Sequence, residues 1–188
     1  MTSLAILYFS ATGTTAALAE EVRSGAAQLL NVVSFRIEGR DIVDGRFRNE
    51  YALELIDGAE AVIFGSPTYM GGASAQFKAF ADATGERWSE GCWKDKIAAG
   101  FTTGTCPNGD QSYTLTYFSV LAAQHGMVWC NLDIPGGHDA QGRNRLGTQL
   151  GLATQAIDGK LAPEDLLTAS HLGRRVASLA LRLRASKS

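Results

Sequence analysis

The sequence predicts an α/β domain, a doubly wound five-stranded parallel sheet in the order 2-1-3-4-5 with helices on both faces. Three observations predict it. Apolar runs and helical patterns alternate five times along the chain, which calls for parallel strands joined by right-handed crossovers. The runs are continuously apolar rather than alternating, as in Leu4-Ala-Ile-Leu-Tyr-Phe9 and Ala61-Val-Ile-Phe-Gly65, so both faces of the sheet are buried. The 188 residues fit one domain, 1–188, with no internal repeat and no linker.

The elements follow in order. The first strand, 4–9, stops at Ser10-Ala-Thr-Gly-Thr-Thr15. A helix follows with Leu18, Val22, Ala26, Leu29 and Leu30 on one face, ending at Asn31. The second strand covers 32–35, and 38–50 is polar and loop-like. A short helix is expected over 51–56 and the third strand over 61–65. The loop Ser66-Pro-Thr-Tyr-Met-Gly-Gly-Ala-Ser74 leads to a helix with Phe77, Phe80 and Ala81 on one face. The fourth strand, 96–101, runs into Thr102-Thr-Gly-Thr-Cys-Pro-Asn-Gly109. A helix over 113–125 ends at Gly126, a left-handed cap, and the fifth strand covers 127–132. Residues 133–162 have no period. Pro163, Glu164 and Asp165 suit the positive end of a last helix, and Arg174, Arg175, Arg182 and Arg184 suit its negative end.

Composition excludes several classes. Seventeen Lys and Arg against nineteen Asp and Glu leave a net charge of −2, so bulk positive charge does not bind nucleic acid here. A hydrophobic fraction of 45% argues against disorder. No apolar run approaches the ~20 residues of a membrane span. The opening residues lack the basic start of a leader, and three scattered cysteines suit a reducing, cytoplasmic compartment. Neither Cys92, Cys106 and Cys130 nor His125, His138 and His171 have metal-site spacing, so no metal is expected.

The chemistry sits in the loops after strands one, three and four, at the carboxyl edge where such sheets bind ligands. Hydroxyls and free amides at a helix start, in 10–15, make an anion cradle. The loop holds no Lys or Arg, so a phosphate there would be held by dipoles and hydroxyls. A plainer reading is that Thr12 or Thr14 simply caps the helix. GxxxxGK[ST] and GxGxxG are both absent, which excludes a Walker-type site and a dinucleotide fingerprint. The other two loops, each small, polar and Gly-containing, can present amides to a flat heterocycle.

These residues resemble the flavodoxin superfamily and, within it, the NAD(P)H:quinone oxidoreductases of the WrbA type, over nearly the whole chain. Ser10 to Thr15 match the family's phosphate loop. Gly65 to Phe80 resemble its G-[ST]-P-T-x-x-G segment, and Thr103 to Gly109 its third FMN loop. Gln124-His-Gly-Met127 is similar to its His-His-Gly-Met, and Thr84-Gly-Glu-Arg-Trp88 to its T-G-x-x-W. The resemblance implies a flavodoxin-like fold with FMN as cofactor. Ser10, Ala11, Thr12, Gly13, Thr14 and Thr15 would bind its phosphate. Pro67, Thr68, Tyr69, Met70 and Gly71 would line its ring. Thr103, Gly104, Thr105, Cys106 and Gly109 would close over it, with Gln124 at the pocket. Trp88 would stack on nicotinamide or quinone, unless it is a buried loop anchor.

Three departures stand out. Gln124 replaces a family His and cannot titrate. His125 beside it suits a helix C-terminus. Thr12 replaces a frequent aromatic, and the segment between strands two and three is short. The implied activity moves two electrons from NAD(P)H, as co-substrate, to a quinone or similar small acceptor, with no side-chain acid required and none assigned. A one-electron shuttle is one alternative, opposed by the modest charge. An FMN-binding regulatory module without turnover is another, favoured by Gln124 and Thr12. The long 133–162 segment suits a homodimer or homotetramer interface, or a mobile surface loop.

Overall fold

The computed structural model describes residues 3–185. The chain runs β1 (Ser3–Phe9), α1 (Thr14–Ala27), β2 (Asn31–Ile37), a 3-10 turn (Gly39–Asp41), β3 (Ile42–Val43), β4 (Arg46–Phe47), α2 (Glu50–Asp57) and β5 (Ala61–Tyr69). It continues through β6 (Gly72–Ala73), α3 (Ala75–Asp82), α4 (Gly85–Ser89), β7 (Ile97–Gly104), α5 (Gln111–Gln124), β8 (Val128–Trp129), β9 (Leu152–Ile157), β10 (Lys160–Leu161) and α6 (Pro163–Ala185).

The parallel path β2-β1-β5-β7-β9 gives the long strands the order 2-1-3-4-5. Side chains alternate across it and feed two separate cores. Leu4, Ile6, Ile63 and Phe101 pack under α1 and α6. Leu7, Val62 and Phe64 pack under the opposite layer, against Phe77, Phe80 and Phe118. The Phe77 and Phe118 rings lie 4.6 Å apart. The continuous apolar runs therefore divide, residue by residue, between two buried faces.

The fifth position departs from expectation. Val128 and Trp129 pair with Ile97 and Ala98, at the start of β7. The chain then leaves the sheet, and Leu152 to Gln155 return to pair with Phe101 to Gly104. The fifth strand is thus one place in the sheet filled by two segments. The part of 133–162 read as aperiodic contains its second half because Leu-Ala-Thr-Gln-Ala-Ile is too rich in small and polar residues to stand out. Leu152, Ala153 and Thr154 are nonetheless fully enclosed. Residues 38–50, read as a loop, hold the 3-10 turn and the β3–β4 hairpin.

The intervening segment is tied to α6 by charge. Arg175 Nη1 meets Asp133 Oδ2 and His171 Nε2 meets Asp133 Oδ1, both at 2.7 Å. Arg143 grips Asp139 through Nη2 at 2.7 Å and Nε at 3.1 Å, and its Nη1 lies 3.2 Å from His171 Nδ1. Arg145 makes a two-pronged bridge to buried Asp165 at 2.9 and 2.8 Å. Buried Asn144, at φ 52, donates from its amide to Thr168 Oγ1 and from Nδ2 to Ile134 O. The segment needs no partner chain for these anchors.

Two contacts fix the helices. At the α1–α6 crossing, a Cβ on Gly25 would lie 1.9 Å from Ser170 O, and one on Gly173 would lie 1.9 Å from Val22 O. Only glycines let these backbones touch. At the end of α2, Lys96 Nζ donates to the carbonyls of Ile56, Asp57 and Ala59 at 2.9, 2.6 and 2.6 Å. All three ammonium protons are spent at the helix terminus, adding to the backbone bonds that Gly58 and Ala59 donate there.

Gly173→Ala should cost about 3 kcal/mol of unfolding free energy by overpacking backbone against backbone. Gly85→Ala, in a helix with open space around it, should be neutral or slightly stabilising. Urea denaturation of both variants checks this, and equal effects would refute it. Acid should loosen the 131–147 segment first. The Arg143 guanidinium holds Asp139 well below the usual carboxylate range. Burial pushes Asp133 up, but His171 and Arg175 outweigh it and hold it low. Depressed carboxylates stabilise the fold above their unfolded pKa and lose that contribution as pH falls below about 4. Amide exchange corrected for intrinsic rates should show 131–147 opening at pH ~3 before the sheet does. Simultaneous opening would refute the order.

Candidate functional site

The cradle forms where β1 stops. Gly13 sits at φ 98 and heads α1 with no side-chain cap, so neither Thr12 nor Thr14 caps the helix. Ser10 takes that work instead. It is buried, and its Oγ accepts from Gly13 N at 3.2 Å and Ala16 N at 3.1 Å. Ser10 therefore shapes the loop from inside, with Ala11 and Gly13 as its bend. Thr12 and Thr14 line a cavity of about 780 Å³, while Thr15 is buried on the inner side of α1. The amides of Thr14 and Thr15 lie in the first helical turn, where no intrahelical acceptor exists.

The second loop is a strand extension rather than a simple turn. β5 continues through Pro67-Thr68-Tyr69 and folds back on β6. Met70 at φ 47 and Gly71 at φ 81 are the two-residue turn, both left-handed. Ser66 and Ser74 clasp its base, Oγ to Oγ at 3.1 Å, and Ser74 also caps α3. Thr68 Oγ1 lies 2.8 Å from both Thr102 Oγ1 and Thr114 Oγ1, so its hydroxyl is committed to tying β5, β7 and α5 together. Pro67, Thr68 and Tyr69 line the cavity, whereas Met70, fully exposed in the turn beyond them, and Gly71 are not among its lining residues.

The third loop adds Thr103, Gly104 and Thr105 to the same cavity. Gln111 holds it closed, donating to Cys106 O at 2.6 Å and accepting from Gly109 N at 2.8 Å. Cys106 and Gly109 thus shape the loop rather than face the cavity. Thr103 Oγ1 is buried and has no partner. A buried hydroxyl without a partner costs about 1–3 kcal/mol, a cost that a polar ligand atom offsets.

A fourth wall was not anticipated. Gln155, Ala156, Ile157, Asp158 and Gly159, at the β9–β10 hairpin, complete the cavity, and Gln155 Nε2 donates to Thr105 O at 3.2 Å. The signal for it was Asp158-Gly159, the dipeptide of a tight hairpin, with φ of 49 and 75. Arg36 was also missed. β2 lies beside β1, and Arg36 Nη2 donates to Ser10 O at 2.6 Å. A cation therefore does reach the cradle, from a strand far away in sequence.

Two expected site residues lie elsewhere within the chain. Val128 pairs with Ile97, so the end of α5 is at the amino edge of the sheet, opposite the cavity. Gln124 is exposed there. His125 is buried beside it, with Nε2 2.8 Å from Thr84 Oγ1 and its ring 4.3 Å from Trp93. Burial pushes its imidazole pKa down, so it does not act as a charged partner for the helix C-terminus. Trp88, on α4, belongs to the same edge: preceding Thr84 touches His125, and Arg87 bridges to Glu50 and Asp57. Trp88 is 53% exposed, which excludes a buried loop anchor.

The geometry fits a planar ligand with an anionic end. Free amides and two threonines stand at one end of the cavity, the β5 extension and the third loop form its sides, and its volume is in the range of small-molecule sites. Among the described residues no cluster of three or more His, Cys, Asp or Glu could hold a metal.

Residues 4–134 match the model of the family described as NADPH-dependent FMN reductase. Flavodoxin FldP of Pseudomonas aeruginosa is 36% identical over 194 residues, covering 98% of this chain and 100% of its own. An NAD(P)H dehydrogenase (quinone) of Archaeoglobus fulgidus is 31% identical over 200 residues, covering 97% and 100%. A solved flavodoxin, WrbA-like protein from Agrobacterium tumefaciens superposes with a TM-score of 0.77 at 34% identity, covering 97% and 99%. The chain thus belongs to the NADPH-dependent FMN reductase family, as a flavodoxin-like oxidoreductase of the WrbA type with FMN as cofactor and NAD(P)H as co-substrate.

Proposed function

We propose that the protein moves two electrons from NAD(P)H to a quinone, in the cavity bounded by Thr12, Thr14, Pro67–Tyr69, Thr103–Thr105 and the β9–β10 hairpin. The observation that carries this reading is the convergence of three loops and a hairpin on one cavity with an unpartnered buried hydroxyl, Thr103 Oγ1, in its wall. Relatives named NAD(P)H dehydrogenase (quinone), at 31% and 30% identity, support the acceptor. When bound, FMN supplies a ring that takes hydride from NAD(P)H and returns electrons to an acceptor.

The chain's own groups do the holding. The amides of Thr14 and Thr15, with the hydroxyls of Thr12 and Thr14, meet the phosphate, and Ser10, Ala11 and Gly13 keep them in place. Pro67 and the backbones of Thr68 and Tyr69 flank the ring. Met70 and Gly71 form the turn beyond them, and Thr103, Gly104 and Thr105 close the far side, braced by Cys106, Gly109 and Gln111. Trp88 and Gln124, at the opposite edge, can serve a cavity only in a second copy of the chain. They favour a homodimer or homotetramer in which one protomer's amino edge covers its partner's site. Three free cysteines, two of them exposed, fit a cytoplasmic setting.

A second reading, a one-electron shuttle, is favoured by the likeness to flavodoxin FldP. Steady-state NADPH oxidation with and without benzoquinone separates the two. Quinone-dependent turnover supports the enzyme, and flavin reduced only by a partner reductase supports the shuttle. Trp88→Ala should leave flavin content unchanged and raise the quinone KM about threefold to tenfold, the worth of one aromatic stack. Loss of flavin from this variant would defeat the stacking role. A monomer by light scattering with undiminished turnover would defeat the contribution from a second copy.

A further inference from the structure

No lysine or arginine lines the cavity among the described residues, yet one cation is bonded to its phosphate loop. Arg36 pairs with Tyr8 across the β1–β2 ladder, and Tyr8 packs with the α1–α6 core. Arg36 therefore stands on the α1 side of the sheet, beside the positive end of that helix. Its Nη2 donates to Ser10 O at 2.6 Å, and its Nε lies 3.4 Å from Glu38 Oε1. Ser10 is the residue whose Oγ gathers the amides of Gly13 and Ala16. One guanidinium thus fixes the first peptide of the loop whose hydroxyl organises the rest.

We propose that Arg36 is a positioning residue that makes the cradle select a phosphorylated flavin, FMN, over riboflavin. This rests on the FMN reading and adds a determinant within that site. Two physical effects act together. The planar fork holds the Ser10 carbonyl, so the loop keeps its free amides turned to the ligand without reorganising. The positive charge reinforces the helix dipole for a phosphate dianion, which neutral riboflavin does not feel. Nearby carboxylates set the size of this effect: Glu38, 3.4 Å from Arg36 Nε, offsets part of the charge, and Asp158 stands in the cavity wall at the β9–β10 hairpin, whereas Glu20 is paired with Arg23 and burial pushes the Tyr8 pKa up.

The test reads binding rather than turnover. The full chain, stripped of flavin, is titrated with FMN and with riboflavin, followed by flavin fluorescence, as wild type, Arg36→Gln and Arg36→Lys. Arg36→Gln should weaken FMN about tenfold or more, the worth of a charge-assisted contact, and leave riboflavin within about twofold. Arg36→Lys should keep most of the FMN preference. Raising salt to about 0.5 M should lower the wild-type preference more than that of Arg36→Gln. Equal weakening of both flavins would reduce Arg36 to a structural prop, and no change in FMN affinity would remove it from the site. Either result overturns the proposal. Should Arg36→Gln lose its native circular dichroism, Arg36→Lys and the wild-type salt response decide, and a salt-independent preference overturns it. A wild-type chain with no preference for FMN would overturn the reading of the cradle itself.

Discussion

The crossing of α1 and α6 is the constraint on which the site depends. Gly25 and Gly173 bring two helix backbones into direct contact, with no room for a single methyl. That contact sets the depth of α1 against β1 and β2, and α1 carries the free amides of Thr14 and Thr15 on its first turn, beside the cavity. A helix free to shift by even part of a turn would move those amides from their place. The interior is close-packed, so the position is transmitted rather than absorbed. Leu18 and Val22 on α1, with Leu172 and Val176 on α6, bury the apolar surface that holds the crossing together.

The divided fifth strand serves the same end at the other side of the cavity. By leaving the sheet after Trp129 and returning at Leu152, the chain gains a second hairpin at the carboxyl edge. That hairpin closes the cavity against Thr105. The excursion between the two halves is held on α6 by a polar chain, Arg175, Asp133, His171, Arg143 and Asp139, with Leu132 and Ile134 buried beneath it. Asp165 shows the cost of such anchoring. Burial pushes its pKa up even though Arg145 grips both of its oxygens.

The chemistry this arrangement can support is narrow. Hydroxyls around the cavity are committed to structure, as with Ser10 and Thr68, or await a ligand, as with Thr103. No paired carboxylates or nucleophile–base pair stand at the cavity wall. Such a site binds and orients, and the reactive group comes with the cofactor. Tyr69 is the aromatic side chain at the cavity wall, whereas Trp88 and Gln124 lie at the opposite edge of the sheet.

The sequence by itself determined the parallel sheet, its order and the three loops at its carboxyl edge. Buried strands such as 61–65 are legible because both faces demand apolar residues, and Gly126 as a cap because its turn demands a left-handed backbone. It also held Asp158-Gly159, whose meaning was masked by the weak apolar content of β9. Only the tertiary structure decided what each group touches. Ser10 rather than Thr12 or Thr14 organises the helix start, because the fold of the loop points its hydroxyl inward. Arg36 reaches Ser10 because β2 lies beside β1, 26 positions away along the chain. Trp88 and Gln124 part from the cavity because the helices run antiparallel to the strands. Local patterns record burial and backbone conformation, whereas the meeting of distant side chains is settled only when the strands are in register.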